Sequence, residues 1–438
     1  MKVAVVGLWH LGPVTAAALA ALGHQVTGFD FDEQRMAQLS AGIAPVFEPG
    51  LEDLIRRGLA SGNLRFSSTC REATQDVDVL WIAYDTPVDP DGNPDTDWVL
   101  SQIARALFGI DTDAVVLVSS QLPVGSLRRL ERAAALRSAD RPLRVAYSPE
   151  NLRLGNAVHD FLHPRRIVVG VRSDRDRQLL TRFLGSITGS IEWMSVESAE
   201  MTKHAINGFL AASIAFANEI ASICESVGAD AKEVERGLRG DSRIGPRAYL
   251  APGSPFAGGT LARDIVFLNR TAGACRLTTP LLSSVLESND RHKSWVKDKL
   301  QRLFDPLSRL TVTLWGLAYK AQTDTLRGSL AVELCDWLIR EGVTVNVHDD
   351  RVTELPRRWG DAVARFDHPI DALRGAQALI ITADSPRYRS ISPAQLSSNA
   401  ARLVVLDADR VLCTTPGGAP ANLNYYAVGL PAREARDP

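Results

Sequence analysis

Six residues near the start of the chain have the spacing of a dinucleotide-binding turn. Gly7-Leu8-Trp9-His10-Leu11-Gly12 follows an apolar run and precedes an alanine-rich segment. A strand, a glycine-bearing turn and a helix in this order present backbone N–H groups to a pyrophosphate, and the helix N-terminus favours its negative charge. The pattern therefore predicts a pyrophosphate site that includes Gly7, Leu11 and Gly12.

Trp9 is the unusual residue of this turn. The second glycine of such a turn lets the backbone approach the pyrophosphate, and here an indole replaces it. The Trp9 side chain must therefore turn aside or push the phosphates outward.

A carboxylate follows the next strand-like run. The segment "VTGFDFD" places Asp30 where an acidic side chain binds the ribose hydroxyls of the adenosine. A carboxylate repels a 2'-phosphate, and no arginine follows Asp30 before Arg35. The predicted cofactor is therefore NAD rather than NADP.

Two alternations of strand and helix patterns position these residues. In the first, the strand-like runs are Val3–Val6, Gln25–Phe29, Val77–Ala83, Ala114–Ser119, Arg144–Tyr147 and Ile167–Val169. A second alternation begins at Leu310 with "LTVTLWGLAYK" and continues through "VTVNVHDD", "ALIITAD" and "LVVLDAD". Alternation of this kind predicts parallel sheets covered by helices on both faces, with a ligand in the cleft between two such domains.

A long apolar segment separates the two alternations. From about Val196, "ESAEMTKHAINGFLAASIAFANEIASICESVGAD" has apolar residues at helical spacing almost all round. Such a helix must be buried on several sides, and contact with a second subunit in a dimer is one way to bury it. The predicted fold class is α/β, with two doubly wound Rossmann-like domains joined by a long central helix.

Composition and charge narrow the partners. The 438 residues carry a net charge of −2 without a basic run, which argues against nucleic acid and membrane surfaces as partners. The five cysteines lack the spacing of a zinc site, so we predict buried thiols, a reducing compartment and no metal. With no leader and no apolar stretch approaching bilayer-spanning length, we expect a cytoplasmic protein.

Seven blocks of sequence carry a resemblance to a known family. They are "PVFEPGLEDLI", "SSQLPVGS", "SPENLRLGNAVHDFLHPRRIVVG", "KHAINGFLA", "DSRIGPR", "PFAGGTLARD" and "GLAYKAQTDTLRGS". In order and spacing the chain resembles the UDP-glucose/GDP-mannose 6-dehydrogenase family over nearly its whole length, more weakly after about Ser385. Members of that family oxidise the C6 alcohol of a nucleotide sugar to a carboxylate in two hydride transfers to NAD.

The resemblance also implies a domain layout. We expect an NAD-binding domain over residues 1–195, a central helical domain over 196–300 and a nucleotide-sugar-binding domain over 301–438. The central helix is expected to form a homodimer.

Family chemistry can be transferred to matching positions. Lys203 and Asn207 lie four apart, hence on one helix face, where an ammonium and an amide can stabilise an oxygen that gains negative charge at C6. Asp264 matches an aspartate that, with a water, assists proton removal. Glu150 matches a glutamate that orients water or substrate.

Ligand-binding positions follow in the same way. Lys320 and Arg327 resemble family cations that bind the sugar and the diphosphate, and Arg327 is assigned to the cofactor residues. Arg243 matches an arginine that reaches the partner subunit's substrate. The other matched cofactor positions are Asp85, Thr86 and Gln121, and the other matched substrate positions are Leu152, Phe256 and Gly258.

The decisive departure from the family is at Thr260. Aligned without a gap to the family's "PGxGYGGSCFPKD", the segment "PGSPFAGGTLARD" puts Thr260 at the catalytic cysteine. A thiolate adds to an aldehyde near neutral pH, whereas a threonine hydroxyl needs a dedicated base. Cys275 lies eleven residues past Asp264 and is a poor replacement. The thioester route is therefore predicted to be closed.

Further departures occur in the same regions. Leu154 replaces a family glutamate and Arg263 a lysine; Gln121 replaces the threonine of "STVPVG" and Asp85 the glycine of "VGTP". Since Trp9, Asp85 and Gln121 would all line the cofactor cleft, they can represent one coordinated change. The retained catalytic positions favour a modified enzyme over a decayed one.

Three interpretations stay open at this point. The first is an NAD-dependent nucleotide-sugar 6-dehydrogenase whose oxidation stops at the aldehyde or continues through the aldehyde hydrate. The second is a two-electron alcohol dehydrogenase acting on another substrate. The third is a non-catalytic homologue that binds a nucleotide sugar or a partner, for which Trp9 and Thr260 are the best evidence.

Overall fold

The computed structural model describes nine stretches of the chain, residues 1–87, 94–108, 113–136, 142–150, 152–257, 260–319, 323–398, 401–412 and 420–431. The chain divides into two compact units, Met1–Ile206 and Asn207–Pro438. The α/β class, the two doubly wound halves and the long central helix are confirmed.

Among its described residues, the first unit contains eight strands and the helices that cover them. In chain order the elements are β1 Lys2–Val6, α1 Leu11–Ala21, β2 Gln25–Phe29, α2 Glu33–Ser40, α3 Leu51–Ser61, β3 Leu64–Phe66, α4 Cys70–Thr74, β4 Val79–Ile82, α5 Thr96–Leu107, β5 Val115–Val118, α6 Ser126–Ala135, β6 Val145–Tyr147, α7 Ala157–Leu162, β7 Ile167–Val171, α8 Asp174–Leu184 and β8 Ile191–Met194.

The sheet of the first unit has the order β3-β2-β1-β4-β5-β6-β7-β8. Alternate β1 residues face opposite sides, Val3 and Val5 packing into one apolar core and Ala4 and Val6 into the other. Both faces are therefore covered, as the apolar strand runs predict. The expectation of an all-parallel sheet is wrong at one junction, because β7 pairs with β6 in the antiparallel direction.

The described part of the second unit contains most of the central helix, further helices and six strands. Its elements are α9 Val196–Val227, which begins in the first unit, α10 Ala231–Gly240, α11 Thr260–Ala274, α12 Pro280–Lys293, α13 Trp295–Leu303, β9 Thr311–Trp315, α14 Leu330–Arg340, β10 Thr344–His348, β11 Val363–Arg365, β12 Ala378–Ile381, α15 Pro386–Arg389, α16 Pro393–Ser397, β13 Leu403–Asp407 and β14 Leu423–Tyr426. The sheet is parallel throughout, in the order β11-β10-β9-β12-β13-β14.

The first turns of α9 are fixed by polar contacts within the first unit. Glu197 forms an ion pair with Arg172 at 2.7 Å, and this hydrogen bonding lowers the pKa of Glu197 to about 2. One turn later, the buried Glu200 accepts hydrogen bonds from the backbone N–H groups of Gly125 and Leu127 at 2.6 and 3.0 Å, at the start of α6. These contacts hold the first turns of α9 in place within the first unit.

The length of α9 corrects the expectation that no apolar stretch approaches bilayer-spanning length. Over 32 residues it contains a window of mean hydropathy 1.3, which is long and apolar enough to span a membrane by length and composition alone. In the structure 44% of that window is buried, and a core helix of a globular protein passes the same test.

Candidate active site

The predicted pyrophosphate turn is built around two glycines whose hydrogen atoms are required. Gly7 has a φ of +93°, and a Cβ there would lie 2.7 Å from the Tyr84 ring. A Cβ on Gly12 would lie 1.9 Å from the Gly7 carbonyl oxygen. The turn leads into α1, and the side chain of its N-cap residue, His10, makes no capping hydrogen bond to that helix end. These features fit a cofactor that carries a pyrophosphate, because helix N–H groups remain for its oxygens.

The indole of Trp9 lies against Arg35. The Arg35 guanidinium is 5.1 Å from the centroid of the Trp9 ring, and Trp9 is 48% exposed. A cation–π contact with Arg35 therefore holds the Trp9 indole beside the loop after β2. This contact gives the indole a position in which it can turn aside from the phosphates.

Asp30 is buried at the end of β2, where the ribose carboxylate was predicted. Its carboxylate accepts a hydrogen bond from the Leu8 N–H at 2.6 Å and pairs with Arg35 at 2.8 Å. Its other oxygen accepts from the Asp32 N–H at 3.0 Å. Arg35 therefore offsets the charge of Asp30, a contact that the spacing of the two residues did not indicate.

The remaining cofactor candidates of the first unit follow β4 and β5. Asp85 accepts a hydrogen bond from the His10 N–H at 3.3 Å, which places its carboxylate at the entrance of α1. Thr86 donates its hydroxyl to the Gln121 carbonyl oxygen at 2.7 Å. Leu11, the first residue of α1, packs against the apolar core below the turn. Tertiary structure thus brings these matched positions to one edge of the sheet.

Lys203 contacts the loop that follows β6. Its Nζ atom donates to the Glu150 carbonyl oxygen at 2.6 Å, while the Glu150 carboxylate accepts from the Leu152 N–H. Glu150 and Leu152 line a cavity of about 470 Å³ together with Ser119 and Ser148. The main chain of Glu150 therefore positions the ammonium of Lys203, and the carboxylate shapes its own loop.

Asn207 and Asp264 form a buried pair in the second unit. The amide Nδ2 of Asn207 donates to Asp264 Oδ2 at 2.5 Å, and Asp264 has no exposed surface. Thr260 is exposed at the first position of α11, one helical turn before Asp264. Asp264, whose carboxylate holds the Asn207 amide, and Thr260, which stands at the family's cysteine position, thus lie on the same helix.

Polar side chains hold the loop before α11. Asn218 accepts from the Gly253 N–H at 3.0 Å, His292 bonds the Gly253 carbonyl oxygen at 2.8 Å, and Asn289 exchanges two hydrogen bonds with the Phe256 backbone. Asn218 and Asn289 are both buried. Neither asparagine stood out in the sequence, although an asparagine on an otherwise apolar helix face is a usable signal, because a buried amide requires partners.

Glu48, within the block "PVFEPGLEDLI", is a further residue that the sequence did not single out. Its buried carboxylate accepts from the N–H groups of Gly155 and Ala157 at 2.9 and 2.7 Å and lies 3.2 Å from the His10 ring. Glu48 therefore connects the turn before α1 with the start of α7.

The second unit has a cavity of about 320 Å³ at the carboxyl ends of β9, β12 and β13. It is lined by the loop around Ser254 and by the start of α14. This is the position at which open α/β sheets bind ligands. Asp409, in the loop after β13, accepts both the N–H and the hydroxyl of Ser254 at 2.6 Å.

The other substrate candidates are only partly described. Arg243 is exposed and pairs with Asp241 at 2.7 Å, and this hydrogen bond lowers the pKa of Asp241. Arg327 is exposed as well. Gly258 and Lys320 lie outside the described residues.

The cysteines differ from the expectation of buried thiols. Cys224 and Cys335 are buried, and burial raises the pKa of Cys335 to about 12. Cys70 is partly buried, with its pKa raised by burial to about 11, and Cys275 is exposed just after α11. Cys413 lies outside the described residues. The prediction is wrong for Cys275 because α11 ends before it and leaves it in a surface turn.

Comparison with known proteins identifies relatives along the whole chain. Residues 1–186, 197–291 and 313–414 match the NAD binding, central and UDP binding domains of the UDP-glucose/GDP-mannose dehydrogenase family. A UDP-glucose 6-dehydrogenase of Pseudomonas aeruginosa is 32% identical, with 98% of both chains covered. A second, from Bacillus subtilis, is 30% identical, with 99% of this chain and 98% of the relative covered.

Solved structures give the same result. A UDP-glucose dehydrogenase from Pyrobaculum islandicum superposes with a TM-score of 0.86 at 31% identity, covering 98% of both chains. A UDP-D-ManNAc dehydrogenase from Pyrococcus horikoshii shares the fold, with a TM-score of 0.84 at 23% identity and coverage of 98% of this chain and 99% of that one.

Proposed function

The chain belongs to the UDP-glucose/GDP-mannose dehydrogenase family of NAD-dependent oxidoreductases, and we propose that it oxidises the C6 alcohol of a UDP-glucose-like nucleotide sugar to the aldehyde. Bound NAD supplies the hydride acceptor. The observation that carries this proposal is the survival of Lys203, Asn207 and Asp264 together with the loss of the thiol at position 260.

Lys203 and Asn207 are proposed to stabilise the C6 oxygen. Both side chains are restrained, Lys203 by the Glu150 carbonyl oxygen at 2.6 Å and Asn207 by Asp264 at 2.5 Å. Preorganised donors of this kind favour the negative charge that develops on an oxygen during proton loss. Asp264 orients the amide and, with a water, accepts the proton of the alcohol.

Thr260 is proposed to limit the reaction to one oxidation. Conversion of an aldehyde to a carboxylate through a thioester requires a thiolate as the nucleophile. The hydroxyl of an exposed threonine is not deprotonated near neutral pH without a dedicated base, so it does not replace the thiolate. Cys275 follows Asp264 by eleven residues, on the far side of most of α11. The aldehyde is therefore the expected product.

Counting cofactor turnover tests this proposal. The protein is incubated with excess NAD and a limiting amount of each UDP- and GDP-sugar, and NADH is measured by absorbance at completion. We expect one NADH per sugar with an aldehyde product. Two NADH per sugar would contradict the role given to Thr260, and no NADH across the panel would favour a binding function.

We also propose a homodimer formed through α9. Phe209, Phe216 and Ile223 follow at intervals of seven residues on this helix and are 70%, 49% and 57% exposed. A contiguous apolar stripe of this kind marks an interface rather than a solvated surface. The free thiols among the described cysteines fit the cytoplasmic location proposed for the enzyme.

Replacement of Phe216 by glutamate is expected to convert the dimer into a monomer, because two copies of a carboxylate would be buried at a symmetric seam. Sedimentation velocity measures the change. Phe108→Glu is the matched control, since Phe108 is 76% exposed on α5's C-terminal side and should leave the mass unchanged. An unchanged mass for Phe216→Glu would place the interface elsewhere.

A further inference from the structure

Asp85 lies where the diphosphate of the cofactor is expected to bind. His10 is the residue that caps α1, and its backbone N–H donates to Asp85 Oδ2 at 3.3 Å. The first N–H groups of a helix have no partner within the helix, and in a dinucleotide-binding turn they point at the pyrophosphate. A carboxylate oxygen of the protein thus occupies one of these donors.

Few donors are available at this helix end. Pro13, the third residue of α1, has no N–H, which leaves the N–H groups of His10, Leu11 and Gly12. The bond to Asp85 engages one of these three. The side chain of Asp85 therefore competes with the diphosphate for one of the three backbone donors at this helix end.

Several other charged groups lie near this turn. Arg35, the cation beside Trp9, pairs with Asp30 at 2.8 Å and with Asp32 at 3.2 Å. The His10 ring faces the Glu48 carboxylate at 3.2 Å. Asp85 thus adds a negative charge on the side of the turn where a diphosphate also brings negative charge.

We propose that Asp85 determines the affinity of the cofactor site by competing with the diphosphate for the His10 N–H and by repelling it. Binding then requires the carboxylate to leave this donor, so the cofactor is held more weakly and released faster than it would be with an uncharged residue at position 85. The proposal rests on the NAD-binding domain and not on the oxidation of a particular sugar.

The test measures binding without turnover. We compare NADH affinity by calorimetry in the wild-type protein and in Asp85→Asn, which keeps the shape of the side chain and removes its charge. We expect about tenfold tighter binding of NADH by the variant, the change that corresponds to about 1.4 kcal/mol. Adenosine, which lacks the diphosphate, should bind both proteins equally.

Asp78→Asn is the matched control. Asp78 also accepts a backbone hydrogen bond, from the Lys2 N–H at 2.9 Å, but it precedes β4 and so lies at the opposite end of that strand from Asp85. This variant changes the net charge equally and should leave NADH affinity unchanged. Equal tightening in both variants would show a general charge effect and overturn the proposal.

Three other results would also overturn it. NADH binding by a folded Asp85→Asn protein could be unchanged or weaker, adenosine binding could tighten as much as NADH binding, or both Asp85→Asn and Asp85→Gly could fail to fold, which would assign Asp85 to the fold. Tight NADH binding by the variant without oxidation of any sugar would leave this inference intact while contradicting the proposed function.

Discussion

Replacement of Lys203 by methionine is expected to lower the rate of sugar-dependent NADH formation by about 10²- to 10³-fold, the range for loss of one preorganised donor to a developing oxyanion. The Nζ atom is held by the Glu150 carbonyl oxygen at 2.6 Å, so the charge is already in place before the reaction. A methionine keeps the apolar stem and removes only the ammonium. Steady-state absorbance of NADH measures the change.

The fold should survive this replacement, because α9 is fixed by other residues. Glu197, Glu200 and His204 make separate contacts within the first unit, the last through a 2.8 Å hydrogen bond to the Leu122 carbonyl oxygen. NADH affinity is therefore expected to stay within about twofold of the wild-type value, a change in binding free energy of less than about 0.5 kcal/mol.

Lys232→Met provides the matched control for Lys203→Met. Lys232 lies on α10, where it pairs with Glu235 at 3.3 Å. This ion pair is partly exposed and lies on a different helix from Lys203, so the control should retain activity. If Lys203→Met kept its rate, or lost NADH binding in parallel with its rate, the role at the C6 oxygen would be refuted.

Replacement of Thr260 by cysteine is expected to raise the yield from one to two NADH per sugar, with the carboxylate as the new product. Thr260 is exposed at the first position of the 15-residue helix α11, so a thiol can be accommodated there. The helix N-terminus lowers the pKa of a thiol and favours the thiolate. The thiolate adds to the aldehyde, the adduct loses a second hydride to NAD, and water releases the carboxylate from the thioester.

Two measurements make this second result decisive. Thr260→Ser, which keeps a hydroxyl, should continue to give one NADH per sugar. Iodoacetamide labelling, performed in a Cys275→Ala background because Cys275 is exposed, verifies that the new thiol is reactive. A reactive thiol with an unchanged yield would show that other departures from the family, Leu154 and Arg263 among them, have reshaped the pocket.

Local sequence patterns predicted the architecture well. The run Gln25–Phe29 is the strand β2 with the same bounds, and the segment starting at about Val196 is the helix α9. Helical and strand periodicities are local properties, and so are the positive φ of Gly7 and the close approach of Gly12 to the Gly7 carbonyl oxygen. Sequence blocks also identified the family, which the comparisons confirm.

The positions of side chains relative to one another depended on the tertiary structure. Sequence spacing gave no indication that Arg35 would neutralise Asp30, that Asp85 would take the His10 N–H, or that Asn218 and Asn289 would hold the loop before α11. The reversed direction of β7 was equally hidden.

By itself the sequence determined the fold class, the family and the candidate residues, because these depend on residue type and on periodicities within a few turns of chain. Only the tertiary structure decided which donor meets which acceptor. The Asp85 to His10 contact spans 75 positions and the Asn207 to Asp264 contact spans 57. Hydrogen bonds act over about 3 Å, so contacts between such distant positions exist only after the backbone has brought the groups together.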